Sequence, residues 1–241
     1  MNETETAQKT AVPGTVMIIG AAGRMGSITV KTAAAHGIKT VPIDPKNPDF
    51  PKMPQVTEEI SAIIDFSLPT ATEETLEYAK KRKIPAVIAA TGHTEREYLN
   101  ILKAAEIIPV FRAVNLSPGM EIICRALSLA AEIFPEADIS VTEIHGKNKR
   151  DKPSGSAIML SDTVKAVRGR GADVSSIRCG NAPGIHEVRI CTECGMITLT
   201  HGVYDRTGYA EGALRAAEFL AGRKPGLYGM ADLFPEKRGK I

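Results

Sequence analysis

An α/β fold with an N-terminal, doubly wound parallel sheet, followed by a C-terminal α+β domain with a mixed open sheet, is what this sequence predicts. Three observations predict it. Short apolar runs alternate with helical stretches from Thr15 to about Ala113, and a glycine-rich turn joins the first run to the first helix. After Ala113 the character changes, and two neighbouring strand-like runs flank a short turn. Strands alternating with helices argue for parallel βαβ units, whereas adjacent strands joined by a turn argue for antiparallel pairing.

The elements follow in order. Strands are expected at Val16–Gly20, Lys39–Asp44, Ala62–Ser67, Ala86–Thr91 and Ile108–Ala113. Helices are expected after the glycine turn as far as Gly37, and over Thr72–Lys83 and Glu95–Ala105. Pro42 lacks an N–H for a sheet ladder, so its strand is expected at an edge, at a bulge, or to be short. A helix over Gly119–Phe134 leads into a strand at Asp138–His145, then a basic loop and a helix from Ser154 to Val167. Strands His186–Thr192 and Met196–Val203 form the expected hairpin, and an alanine-rich helix runs from Tyr209 to Leu220.

Bulk properties exclude several classes. Thirty basic against 28 acidic residues leave a net charge of +2, which gives no reason to expect a nucleic-acid or membrane surface. No apolar run approaches a bilayer's width. The first fourteen residues are polar and read as a flexible leader without a signal-peptide core, so a cytoplasmic location is expected. Four cysteines in a chain of this length make no disulfide framework. Cys191 and Cys194 read as reduced thiols at a hairpin turn, because zinc would need two further ligands at suitable spacing. No metal is expected.

The run Val16–Ile19 passes straight into Gly20-Ala21-Ala22-Gly23-Arg24-Met25-Gly26. Glycines let a backbone turn sharply and approach a pyrophosphate, which then rests on the free N–H groups of the following helix. Asp44, at the end of the second strand, is placed to accept from the ribose hydroxyls of an adenosine, which favours NADH over NADPH. Alternatively, Asp44 only initiates the turn at Pro45. Lys46 and Arg24 are nearby cations that would offset a 2′-phosphate.

The stretch from Glu143 to Ser156 (EIHGKNKRDKPSGS) carries the chemistry. A strand delivers His145, which exchanges protons near neutral pH. Lys149 follows four residues later. Ser154-Gly155-Ser156 opens a helix whose unpaired amides can hold a carboxylate. Singly, each has a bland reading: a structural histidine, a solvated basic loop, a helix cap. Together, downstream of a nucleotide-binding turn, they suit reduction of a small anionic substrate.

This stretch resembles the dihydrodipicolinate reductase signature E-x-H-H-x-x-K-x-D-x-P-S-G-T. Glu143, His145, Lys149, Asp151, Pro153, Ser154 and Gly155 match in register. Gly20–Gly26, Asp65-Phe66-Ser67-x-Pro69, Ala90-Thr91-Gly92, Asn115-Leu116-Ser117-x-Gly119, Gly184-x-His186 and Thr200-His201 resemble further family motifs in the same order. The resemblance implies an N-terminal Rossmann-type domain over residues 15–116, completed by 207–241, and a substrate and assembly domain over 117–206. It implies a homotetramer and hydride transfer from NAD(P)H to hydroxy-tetrahydrodipicolinate, a small dicarboxylate of the diaminopimelate and lysine pathway. His145 would then be the acid/base and Lys149 a second proton donor. Gly146, Ser154, Gly155 and Ser156 would meet the substrate. Gly20, Ala21, Ala22, Gly23, Arg24, Met25, Asp44, Ala89, Ala90, Thr91, Ala113, Val114 and Asn115 would line the nucleotide. Gly146 stands where the family has its second histidine, and Gly202 where a lysine is expected. These departures keep two alternatives open: a reductase of another small anionic cyclic imine or keto acid, and a nucleotide-binding homologue with impaired catalysis.

Overall fold

The computed structural model describes residues 14–235; the leader expected at the start lies outside them, apart from Gly14. Along the chain run β1 (Thr15–Ile19), α1 (Arg24–Ala35), β2 (Thr40–Ile43), β3 (Ile60–Asp65), α2 (Pro69–Arg82), β4 (Ala86–Ile88), α3 (Glu95–Ala105) and β5 (Pro109–Arg112). Then come α4 (Pro118–Ile133), β6 (Asp138–His145), α5 (Gly155–Arg168), β7 (Asp173–Arg178), β8 (Ile185–Cys191), β9 (Met196–Gly202), α6 (Thr207–Leu220), β10 (Gly226–Tyr228) and α7 (Met230–Leu233). Among the described residues, two compact units divide the chain: residues 14–112 with Ala210–Pro235, and Ala113–Tyr209.

The first unit holds a six-stranded sheet in the order β10-β5-β4-β3-β1-β2, with every pairing parallel. β1 is buried along its whole length, as a parallel strand covered on both faces must be. Met17, Ile19, Ile63, Ile88 and Val110 form the core with Leu76 of α2 and Ile101 of α3. β2 is an edge strand, so Pro42, opposite Ile18, costs the sheet no inner ladder bond. α3 starts on a capping box: the Glu97 amide donates to Thr94 Oγ1, and the Thr94 amide donates to the Glu97 carboxylate. Strands β4 and β5 stop before the expected Thr91 and Ala113, because the chain leaves the sheet there for loops. β10, which the sequence reading missed, adds the sixth strand beside β5.

The second unit holds a mixed sheet in the order β7-β6-β8-β9. β6 and β7 are parallel; β6 with β8, and β8 with β9, are antiparallel. β7 was also missed. Its sequence DVSSIR has little apolar character, and it is held as an edge strand by main-chain pairing to β6. Met120, Leu127, Leu160 and Val164, from α4 and α5, pack on Ile139, Val141, Val188 and Ile190. No described helix is long and apolar enough to cross a membrane.

Candidate active site

In the first unit the strand order turns at β1. β2 lies on one side and β3 on the other, and ligands of such sheets bind beyond the carboxyl ends of the strands at that point. Gly20 ends β1 with φ +79°, a left-handed conformation that favours glycine. A side chain there would begin 3.0 Å from the Phe66 carbonyl carbon and the Ser67 nitrogen. At Gly26, a Cβ would lie 2.1 Å from the Gly20 carbonyl oxygen. Gly23 caps α1, which has no side-chain cap and no acidic residue in its first turn, so the positive helix end is left for an anion. Arg24 and Met25 form that first turn, while Ala21 is buried and Ala22 exposed.

Asp44 ties the loop together. Its Oδ2 accepts from the Ala22 amide and its Oδ1 from the Lys46 amide, both at 3.0 Å. The Lys46 bond is the turn contact expected of Asp44, and the Ala22 bond joins it to the glycine turn. Behind β3, the buried Asp65 accepts from the Ser67 amide at 2.8 Å and from Thr72 Oγ1 at 3.2 Å. Burial raises its carboxyl above the ordinary range, against those hydrogen bonds. Ala89, Ala90 and Thr91 follow β4, and the Ala89 amide donates to Asp65 O.

In the second unit, strand alternation builds the site. Ile139 and Val141 face the helices, and Glu143 and His145 continue that phase beyond the apolar core. Register then sets Glu143 opposite Ser176 on β7 and His186 on β8, with His186 opposite His201 on β9. His145 lies opposite Arg178. The Glu143 carboxylate is fully buried; it accepts both Nη groups of Arg178 at 2.9 Å, the Ser154 amide at 3.2 Å, and is hydrogen-bonded to His145 Nδ1. Arg178 also donates to the Lys149 and Asp151 carbonyls. Ser154 caps α5 through its hydroxyl, which accepts from the Ala157 amide and is hydrogen-bonded to His186 Nε2 at 3.2 Å. Asn115 donates to Ser156 Oγ at 2.9 Å and accepts from the Ser117 amide. Ser117 Oγ is in turn hydrogen-bonded to His201 Nε2 at 3.0 Å. Ala113 and Val114 lead into this segment. Lys149 Nζ pairs with Asp151 at 2.9 Å. A Cβ on Gly146 would make ordinary contacts, the nearest at 3.4 Å from Gly180 O.

Charge and burial compete here. Burial would raise the Glu143 carboxyl, but the hydrogen bonds from Arg178 and then His145 reverse that and hold it at about 2. Burial lowers His145, and Lys149 and Arg178 push the same way against the Glu143 anion. Burial lowers His186 to about 4, with His145 and His201 adding to the shift; burial alone lowers His201. The site therefore combines a buried anion with histidines that are neutral at pH 7.

His145, Ser154 and the Lys149 loop thus share one hydrogen-bonded system around Glu143, and Ser156 belongs to a second, through Asn115. Arg178 and His186 belong to the first and Ser117 and His201 to the second, and sequence reasoning assigned none of them a role. One signal was available: a glutamate at an apolar-phase position of β6 requires a buried cation partner. The four cysteines are free; Cys191 precedes, and Cys194 lies within, a turn closed by Thr192 and Gly195. Among the described residues no group of three or more His, Cys, Asp or Glu side chains is arranged to hold a metal ion.

Comparison with known proteins yields two family models that together span almost all of the described chain: "Dihydrodipicolinate reductase, N-terminus" over residues 15–116 and "Dihydrodipicolinate reductase, C-terminus" over residues 119–234. A protein of Caldanaerobacter subterraneus subsp. tengcongensis named 4-hydroxy-tetrahydrodipicolinate reductase is 33% identical, with 90% of this chain and 97% of that protein covered. Its namesake from Alkaliphilus metalliredigens is 35% identical, covering 90% and 98%. Among solved structures, dipicolinate-bound dihydrodipicolinate reductase from a Paenisporosarcina species superposes with a TM-score of 0.74 at 20% identity, covering 92% of this chain and 99% of that one. An amine dehydrogenase of Mycobacterium smegmatis shares the fold at a TM-score of 0.65 and 10% identity, covering 95% and 98%.

Proposed function

The chain belongs to the dihydrodipicolinate reductase family, and on that premise we propose that it reduces 4-hydroxy-tetrahydrodipicolinate to tetrahydrodipicolinate with a nicotinamide nucleotide, a cytoplasmic step of diaminopimelate and lysine biosynthesis. The observation that carries the reading is the set of groups gathered on Glu143: a histidine, the start of α5 and, through Arg178, the lysine loop. The reaction consumes a hydride and a proton and releases water. The protein must therefore bind a dianion and manage a proton.

The glycine turn fits a dinucleotide, because a side chain at Gly26 or Gly20 would fill the space and α1 begins uncapped. Gly20–Met25 would hold the pyrophosphate, with Ala89–Thr91 and Ala113–Asn115 along the remainder. Bound there, a reduced nicotinamide supplies the hydride. Asp44 would accept from the ribose hydroxyls, since each of its oxygens keeps a lone pair after its backbone bond. An anion at that position disfavours a 2′-phosphate, so NADH is the favoured form.

His145 would carry the proton at Nε2, because Nδ1 is held by Glu143. Lys149 Nζ would be the second donor once a substrate carboxylate competes with Asp151. Gly155 and Ser156 would hold that carboxylate. The polar groups of Ser154 already serve Glu143, His186 and the Ala157 amide, which leaves Ser154 as support for the cradle. Gly146 would leave open the space that a second histidine fills in the family signature.

Assembly as a homotetramer through the second unit completes the reading. β9 is an edge strand of seven residues without proline, lysine or acidic side chains, and Met196 and Ile197 stand 62% and 42% exposed. Such an edge invites pairing with another copy. A light-scattering mass of a monomer at micromolar concentration would contradict this part.

The decisive assay is NADH oxidation with enzymatically generated 4-hydroxy-tetrahydrodipicolinate. Turnover is expected. No turnover with it, but turnover with another cyclic imine or a keto acid, would select the alternative that Gly146 raises.

A further inference from the structure

Glu143 occupies a position where the alternation of β6 calls for an apolar side chain, and a buried carboxylate is costly unless fully partnered. Here four donors meet it. Two are the fork of Arg178, whose remaining N–H groups reach the backbone carbonyls of Lys149, Asp151 and Ile177. The third is the amide of Ser154, cap of α5. The fourth is His145 Nδ1. An ionised carboxylate only accepts, so Nδ1 must carry the ring proton. Nε2 is then the free nitrogen. It lies 3.2 Å from where a side chain at Gly184 would start, and Gly184, with φ +121°, keeps that approach open.

The geometry points to Glu143 and Arg178 as the positioning pair of the reductase reaction: Glu143 holds His145 in its Nδ1–H form and the α5 start through the Ser154 amide, and Arg178 ties the loop bearing Lys149 to the same carboxylate. The pair touches no reacting atom; it acts through His145, Lys149 and Gly155. What those three residues do rests on the function proposed above, whereas the hold on the ring does not. A pair that merely joined β6 to β7 would leave the ring free to take either tautomer. The charged and titratable groups facing His145 are Glu143 on its own strand, Arg178 on β7, Lys149 on the loop and His186 on β8.

Two readouts test this on the full chain. The first is histidine 15N and 13Cε1 NMR of the protein without substrate, with His145 assigned by loss of its signals in His145→Asn. The wild type should show the Nδ1–H tautomer from about pH 7 upward. Glu143→Gln removes the anion but keeps an acceptor, so the His145 midpoint should fall by about one unit or more, with a roughly tenfold loss of protonated ring per unit. The second readout is kinetic. Glu143→Gln should lower kcat about ten- to a hundredfold with nucleotide affinity unchanged. Arg178→Lys keeps the charge but not the fork; it should leave the tautomer intact and raise KM for the dianion.

An Nε2–H tautomer in the wild type overturns the inference outright, and that spectrum decides the matter even if the variants fail to fold. A Glu143→Gln protein with unchanged midpoint and kcat overturns it too. Absence of turnover on the expected substrate, with the NMR results as expected, would fault the proposed reaction and leave the positioning intact.

Discussion

Acidification from about pH 7.5 to about pH 5 should destabilise this protein through one buried ring, His186. The side chain is 2% exposed, and its Nδ1 has no hydrogen-bond partner among the described residues. Its neighbours are two other histidines, with ring centroids at 5.1 and 6.4 Å. Burial lowers its folded value to about 4 from the ordinary 6.5, with charge on its neighbours pushing the same way. A depressed folded value means that the unfolded chain takes up the proton first. Stability is therefore fully present above about 6.5 and is lost as pH falls toward 4. The full shift corresponds to about 3 kcal/mol, of which about 2 kcal/mol falls between pH 7.5 and 5. His145 and His201 shift in the same direction and steepen the wild-type loss. Comparison with His186→Gln, which can still bond Ser154, isolates the one ring. Urea unfolding at both pH values should show the variant losing about 2 kcal/mol less than the wild type. Equal losses in the two proteins would refute the reasoning, because His186 would then not be held neutral by the fold.

Gly26→Ala would place a methyl 2.1 Å from Gly20 O and 2.8 Å from Ala21 Cα, so the turn must open. A stability loss of about 1–3 kcal/mol is expected with much weaker nucleotide binding, and a wild-type affinity by fluorescence titration would contradict the role of the glycine turn. Asp44→Ala should weaken NADH and spare NADPH. A clear NADPH preference in the wild type would instead show that Lys46 and Arg24 dominate. His145→Ala should cut kcat about a hundred- to ten-thousandfold with nucleotide affinity nearly untouched, and Lys149→Ala similarly with a raised KM. Gly146→His should lower KM and leave kcat almost unchanged; a fallen kcat would mean that the glycine is needed for more than space.

Much of the fold was legible because its signals are local. Helix α3 was read at its observed bounds, since Thr94 and Glu97 mark its start, and β6 likewise, because Ile139 and Val141 alternate with polar residues. Pro42 pointed to an edge, a bulge or a short strand, and β2 is an edge strand of four residues. Strands β7 and β10 escaped for the opposite reason. DVSSIR and GLY carry too few apolar residues to show a period, and both strands exist because a neighbouring strand offers a ladder to pair with. In the site, His145, Lys149 and Ser154 stood within one stretch and could be read together. Arg178 lies 35 residues from Glu143 in sequence and His201 lies 84 from Ser117, so no local pattern links them.

The sequence by itself determined the order of most strands and helices, β7 and β10 excepted, the glycine turn that suits a pyrophosphate, and the residues able to exchange a proton. These follow from side-chain alternation, backbone freedom at glycine and intrinsic chemistry, all properties of short stretches. Only the tertiary structure decided the state of those residues. Register across β7, β6, β8 and β9 set Arg178 and His145 on one buried carboxylate and buried His186 beside two other rings. Ionisation depends on burial and on the charges brought near, and strand pairing brings them there from distant parts of the chain.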